Sequence, residues 1–255
     1  MPVLFLRFDA PMQSWGTQSR FARRDTSTEP TKSGVVGLLA AALGIARDDD
    51  QSVAQLARLR MGVRIDREGT VEEDFHTVQD VPNTIGEKHR GVISRRYYLA
   101  DALFLVALEA PDEDTLQRLH HALQHPKWPL YLGRKAFVPA RPIVASTDTE
   151  PPAIKNQSME EALATHPWLE TQPGVLRQTL KAAQTDSSTW LRTVTEADPT
   201  DFDIELRHDH PLSFRQQDRR YTPRAVRVDL IRLTPDMITE SLEPLAPAAE
   251  HRSST

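Results

Sequence analysis

The chain has 255 residues, no cysteine and a formal net charge of −5. The missing cysteines exclude disulfides and thiolate metal centres, and the acidic balance argues against a general nucleic-acid coat. At 39% hydrophobic and 26% charged residues, the composition is that of a globular protein with a polar surface, in one large domain or two small ones.

Residues 3–8 (Val-Leu-Phe-Leu-Arg-Phe) read as a short buried strand that ends at Pro11. Arg7 and Asp9 interrupt this first apolar run, so no secretory signal is expected and a cytoplasmic setting is. Residues 12–29 are polar and aperiodic. A helix follows over about 33–44, with Thr31 or Ser33 as its N-cap and Gly44 near its end. Its apolar run, residues 34–46, is thirteen long, which suits a core helix and is too short to span a bilayer. Residues 51–59 continue helically. Met61, Val63 and Ile65 mark a second strand, Glu68-Gly69 a hairpin turn, and residues 71–81 a weaker returning strand. Residues 82–94 form a long polar excursion, which reads as a binding element or an extended hairpin. A strand over 103–108 and an amphipathic helix over 112–124 come next, and a further strand is expected from Ala136. The order β-α-β-β-α-β is ferredoxin-like, within an α+β class.

Residues 146–157 read as a linker to a smaller C-terminal part. There, helical pieces are expected at 159–164 and 175–183, and strands at 190–194, 204–206 and 225–233. From Thr234 onward the chain reads as a frayed tail. Charge is uneven: residues 207–232 hold seven arginines against three aspartates. A local basic patch on an acidic protein is therefore expected.

The mouth of the apolar helix carries the most chemistry. Lys32 and Ser33 stand where backbone N–H groups are unpaired and the helix end is partly positive. A lysine there suits an anion such as phosphate; the alternative is a capped core helix whose lysine reaches back to solvent. No Gly-x-x-x-x-Gly precedes Lys32-Ser33, so this is not a nucleotide-triphosphate loop. His121 and His125 have metal-ligand spacing but no matched carboxylate and read as a solvated face. His76, near Lys88, Tyr97 and Tyr98, is compatible with metal-free RNA cleavage, or simply with a contact to RNA or a partner. No cofactor motif is present.

Four blocks then occur in order: residues 10–16 (APMQSWG), 30–34 (PTKSG) with the GLLAAALG run, 74–78 (DFHTV), and 131–135 (YLGRK). Together they closely resemble the CasD family of repeat-associated (RAMP) proteins, subunits of the type I-E CRISPR interference complex Cascade. The resemblance is strong over about residues 3–145. It is weaker beyond, where residues 215–227 with Pro211, Phe214 and Tyr221 resemble the family's C-terminal region. It implies a ferredoxin-like core over 1–145 with a protruding β-hairpin thumb at about 78–98, a smaller part at 146–233, and a flexible tail at 234–255. It also implies a non-catalytic protein that grips the 5′ handle of a CRISPR RNA. The implied partners are a CasC-type backbone subunit, the large PAM-reading subunit, and target DNA near the thumb. Carried onto this chain, the RNA-binding residues are Gln13, Trp15, Arg20, Arg23, Arg24, Lys32, Ser33, Gly34, His76, Arg95, Arg96, Gly133, Arg134, Lys135 and Arg215. The competing reading is a metal-independent endoribonuclease that processes CRISPR repeats, as in type I-C relatives.

Overall fold

Alternation along the first strand organises the molecule. In the computed structural model, which describes residues 1–17, 23–82, 85–87, 90–145, 150–184 and 189–242, β1 (Pro2–Asp9) lies inside a seven-stranded sheet. Its side chains divide between two cores, because successive strand residues point to opposite faces. Leu4, Leu6 and Phe8 join the larger core, while Val3 and Phe5 join a second one on the other face.

The larger core is covered by helices. β2 (Met12–Gln13) and β3 (Arg23–Arg24) are short. Then comes α1 (Lys32–Leu43), capped by Thr31, whose hydroxyl accepts the N–H of Gly34 at 3.2 Å. Gly44 ends it with φ +74°. Helix α1 is apolar nearly all round because it sits inside, its Val35, Val36, Leu38 and Leu39 buried. It is followed by α2 (Asp50–Ala57) and β4 (Arg60–Arg67).

At this point the chain departs from expectation. The Glu68-Gly69 turn does not close a hairpin. β4 pairs with other strands of the large sheet, while β5 (Thr70–Val81) pairs with β6 (Arg90–Ala100) in a second sheet. The projecting hairpin therefore spans residues 70–100, longer than the expected 78–98. The inner edge of β6 is shared by β2 near its base and β3 further out. The chain re-enters the large sheet as β7 (Leu103–Glu109), buried on both faces, and crosses it with α3 (Glu113–Gln124), capped by Asp112.

The strand expected from Ala136 is absent from the described residues; that stretch is irregular, its Pro139 and Pro142 offering no backbone N–H to a ladder. The fourth core strand is β8 (Ile154–Asn156), inside the expected linker, which pairs with β1. The order β8-β1-β7-β4, antiparallel throughout, is the split β-α-β arrangement expected of a ferredoxin-like core, with a different segment supplying its last strand.

Helices α4 (Met159–Thr165) and α5 (Pro173–Gln184) follow, then β9 (Trp190–Glu196), β10 (Glu205–Ser213) and β11 (Arg220–Arg232). These last strands extend the same sheet beyond β4, in the order β10-β11-β9-β4. Residue 145 thus marks no break in the sheet. The segment expected to fray from Thr234 begins with α6 (Pro235–Leu242), whose Met237 and Ile238 are buried with Trp168, Leu176, Leu191 and Leu233. No described helix is long and apolar enough to cross a membrane.

Two buried ion networks tie distant segments to the sheet. Arg64, fully buried, donates to Asp66 at 2.6 and 2.9 Å and to the carbonyls of Leu163, His166 and Pro167 at 2.7–2.8 Å. Every guanidinium donor is satisfied, which is the condition for burying such a charge. This clamp holds α4 and the chain after it on the face opposite α1. The second network centres on Lys32, and it corrects the expectation of a phosphate-seating lysine. The side chain is 1% exposed, and its ammonium donates to the Leu59 carbonyl and to Glu196 at 2.5 Å. The Lys32 backbone N–H donates to Asp209 at 2.7 Å, and Asp209 in turn takes Arg224 at 2.7 and 3.1 Å. The positive helix mouth is answered by carboxylates of β9 and β10 rather than left for an external anion. Burial pushes the Lys32 ammonium below its ordinary value, opposed by Glu196.

Two outcomes test this frame. Lys32→Ala leaves Glu196 and Asp209 under-compensated and is expected to lower the unfolding free energy by about 3–5 kcal/mol in urea; an unchanged midpoint would place the ammonium at the surface. His166, buried against Phe5 at 4.5 Å between ring centroids, has its pKa pushed from 6.5 to about 3, by burial first and the Arg64 charge next. The unfolded chain takes up this proton below about pH 6.5 and the folded chain does not. Stability is therefore lost as pH falls from 6.5 towards 3. His166→Gln should shrink the stability difference between pH 7 and pH 5 by about 2 kcal/mol, measured by urea unfolding at both pH values.

Candidate nucleic-acid interface

Three of the four sequence blocks meet at one groove of about 450 Å³. Its floor is the exposed side of α1, where Ser33, Gly34 and Gly37 follow one another at helical spacing. One wall is the chain around Trp15, the other the turn around Gly133 and Arg134.

The walls are joined by close backbone contacts. Gly133 has φ +96°, and a Cβ there would collide with the carbonyl of Ser14. Glycine is required on both counts. The Ser14 N–H donates to the Leu132 carbonyl at 3.1 Å. Trp15 stacks on Phe8, 5.3 Å between centroids at 16°, and lies against α1 so closely that a Cβ on Gly34 would meet its ring at 2.8 Å. Gln13 is wholly buried and donates to the carbonyls of Phe8 and Ala102 at 3.1 and 2.8 Å. Gln13, Trp15 and Gly34 thus build the groove by packing, and Gln13, like Lys32, has no surface to offer a ligand.

Arg134 is the groove's principal charged group. It donates to the Tyr97 carbonyl at 2.6 Å and lies over the Phe137 ring at 5.4 Å. Its Nη1 is buried and has no hydrogen-bond partner among the described residues. Burial first and the Arg96 charge next push its guanidinium below its ordinary value; Asp74 opposes them, and Arg24 and Asp25 add smaller effects of opposite sign. A desolvated cation beside two others is relieved by an incoming anion. The indole Nε1 of Trp15 is a second buried donor without a partner there.

Strand alternation divides the remaining arginines. β3 runs beside β6 with Arg23 opposite Arg95 and Arg24 opposite Arg96. Arg24 and Arg96 therefore share the face of Arg134, whereas Arg23 and Arg95 point to the other face. There Arg23 covers the Tyr97 ring at 5.0 Å and Arg95 pairs with Glu73 at 3.4 Å. His76 and Asp74 lie on the same face as Arg96 by register, and His76 Nε2 is 3.0 Å from the Asp74 carboxylate, both about half exposed. Lys135 is exposed beyond the groove lining. Arg215 does not reach the groove, being held at α2 by Asp50 at 3.0 Å and the Asp48 carbonyl at 3.2 Å. Arg20 lies outside the described residues.

Sequence reading missed two cations that line the groove, Arg47 and Arg219. Arg219 interacts with Tyr221, whose phenol is nonetheless pushed up by burial. Arg47 follows the C-cap of α1 and Arg219 precedes β11. Only the arginine excess over 207–232 hinted at the second, and nothing local marked the first. Among the described residues, no group of three or more His, Cys, Asp or Glu side chains is placed to hold a metal ion.

Residues 3–227 match the family model described as CRISPR-associated protein (Cas_Cas5). The chain is 34% identical over 157 residues to the CRISPR system Cascade subunit CasD of Escherichia coli K12, covering 56% of this chain and 70% of that one. A solved structure described as a crystal structure of Cas protein is 37% identical with a TM-score of 0.66, over 90% of this chain and 95% of the other. A chain of a CRISPR RNA-guided surveillance complex is 29% identical with a TM-score of 0.71, over 94% of this chain and 100% of the other. With a family match running from the first strand into β11, this chain belongs to the Cas5 family of CRISPR-associated proteins, the group that includes the Cascade subunit CasD.

Proposed function

We propose that this chain is a non-catalytic RNA-binding subunit of a CRISPR surveillance ribonucleoprotein, and that its groove caps the 5′ handle of the guide RNA. The observation that carries the reading is the buried, unpartnered Nη1 of Arg134 on the groove wall, beside the charges of Arg24 and Arg96. A phosphate supplies the missing acceptor and offsets the repulsion among the three guanidinium groups. Ser33 adds a hydroxyl at the floor. The groove is short and local, which fits a hooked single-strand end read by shape and phosphates better than a long duplex. The rigid α1 floor and the hairpin then face the neighbours expected in such an assembly: a CasC-type backbone subunit, the large PAM-reading subunit, and target DNA passing near the hairpin.

The test is handle-RNA binding by the purified chain across a salt series. Arg134→Ala is expected to weaken binding and to lower the slope of log K against log salt by about one unit or less. Unchanged affinity and slope would remove Arg134, and with it this groove, from the RNA path.

One observation favours a second reading, metal-independent endoribonuclease activity. The Asp74 carboxylate on His76 Nε2 at 3.0 Å orients the ring and leaves Nδ1 to accept a proton from a ribose 2′-hydroxyl. Labelled repeat RNA incubated in the presence of a chelator separates the two. Intact RNA is the expected outcome. Cleavage that falls about 10²-fold or more in His76→Ala would favour the enzyme instead.

A further inference from the structure

The projecting hairpin is charged differently along its two strands. β5 carries Glu72, Glu73, Asp74 and Asp80 and no lysine or arginine, whereas β6 carries Arg90, Arg95 and Arg96 and no acid. β3 adds Arg23 and Arg24 on the β6 side. The cationic side thus adjoins the groove, and the acidic strand is the outer edge. Among the described residues that edge is open: β5 pairs with β6 alone, and ten of its twelve residues are exposed. Its register is regular over residues 70–78, and the strand contains no proline. The one irregularity lies toward the tip, between Val78 and Val81, where Asp80 has φ +60°. On one face Val71 and Phe75, with Ile93 diagonal to Phe75 on β6, are more than half exposed.

A free strand edge presents a row of unpaired N–H and C=O groups, and proteins usually blunt such an edge with proline, lysine, bulges or a covering element. This one is regular over nine residues, and its charges are all of one sign. The carboxylates repel nucleic acid and repel a second copy of the same edge. They suit a strand that brings lysine or arginine and sets apolar residues against Val71 and Phe75.

We propose that the outer edge of β5 is a docking site for an extended basic segment of another protein subunit, added to the sheet as a strand. The proposal rests on the functional reading above only in seeking that neighbour within the same ribonucleoprotein. On this view the hairpin serves two partners, RNA on its arginine side and protein on its carboxylate side.

Amide hydrogen exchange tests this in three states: the chain alone, the chain with handle RNA, and the ribonucleoprotein assembled from guide RNA and the other protein subunits of a CRISPR surveillance complex. Outward-facing amides of residues 71–78 should exchange rapidly in the first two states and at least about tenfold more slowly in the third. Carbodiimide coupling should join Glu72, Glu73 or Asp74 to lysines of one neighbouring subunit. The double variant Glu72→Lys/Phe75→Lys should bind handle RNA at least as well as the parent, yet enter the assembly with at least about tenfold lower occupancy. Protection by RNA alone would overturn the proposal by making nucleic acid the occupant. Assembly without β5 protection, or unimpaired assembly of the double variant, would overturn it while leaving the RNA reading intact. A chain that enters no ribonucleoprotein at all would defeat both.

Discussion

The interior charge of Lys32 is the constraint on which the rest of the site depends. Its ammonium holds Glu196 and the Leu59 carbonyl, and its backbone N–H holds Asp209, itself gripped by Arg224. A buried cation is tolerated only when each donor finds an acceptor and the charge is matched. Here the acceptors come from the loop before β4, from β9 and from β10. The helix that floors the groove is therefore anchored by the C-terminal strands as well as by its own core contacts. The groove is a product of both halves of the chain.

The groove's walls show why its residues come as blocks. Gly133 is fixed by the Ser14 carbonyl, and Gly34 by the Trp15 ring. Each glycine lets another block approach, because a Cβ at either position would collide with it. Trp15, stacked on Phe8 of β1, transmits the position of the sheet to the helix floor. The half-buried donors of the groove, Ser33 and Arg134, are then held among closely packed neighbours, which is the usual route to a pre-organised site.

What was legible in the sequence was what local chemistry decides. The strand at 2–9 follows from its apolar run, the helix at 32–43 from its apolar run bounded by Thr31 and Gly44, and the helix at 113–124 from its apolar period and acidic first turn. What was misplaced depended on partners far along the chain. Lys32 looks like an anion seat until Glu196 and Asp209, 164 and 177 residues away, are seen beside it. The last core strand is only three residues long and lies in a stretch that reads as linker, because β1 rather than its own pattern makes it a strand. The tail at 235–242 is helical because Met237 and Ile238 have a cluster to enter. Arg47 was invisible for the same reason: a surface arginine has no sequence signature until a groove forms next to it.

The split of the arginines follows from the same geometry and places a local cationic patch on an acidic protein. Strand period sends Arg24 and Arg96 to the face of Arg134 and sends Arg23 and Arg95 away, where Tyr97 and Glu73 engage them. The cations left facing the groove are few, and one of them, Arg134, is desolvated, so each weighs more than a count of basic residues suggests. The carboxylates responsible for the net charge of −5 are largely engaged elsewhere: in the Lys32 and Arg64 networks, in pairs such as that of Glu29 with Arg192 and Arg207, and along the outer edge of β5. Asp74 and Asp25 still act on Arg134, so the balance of charge at the groove is set by a few near neighbours rather than by the total. At short range in a low-dielectric cleft the nearest charges dominate, and beyond about 10 Å the far ones are screened by salt. Overall charge is therefore a poor guide to the ligand of a protein whose charges are sorted strand by strand.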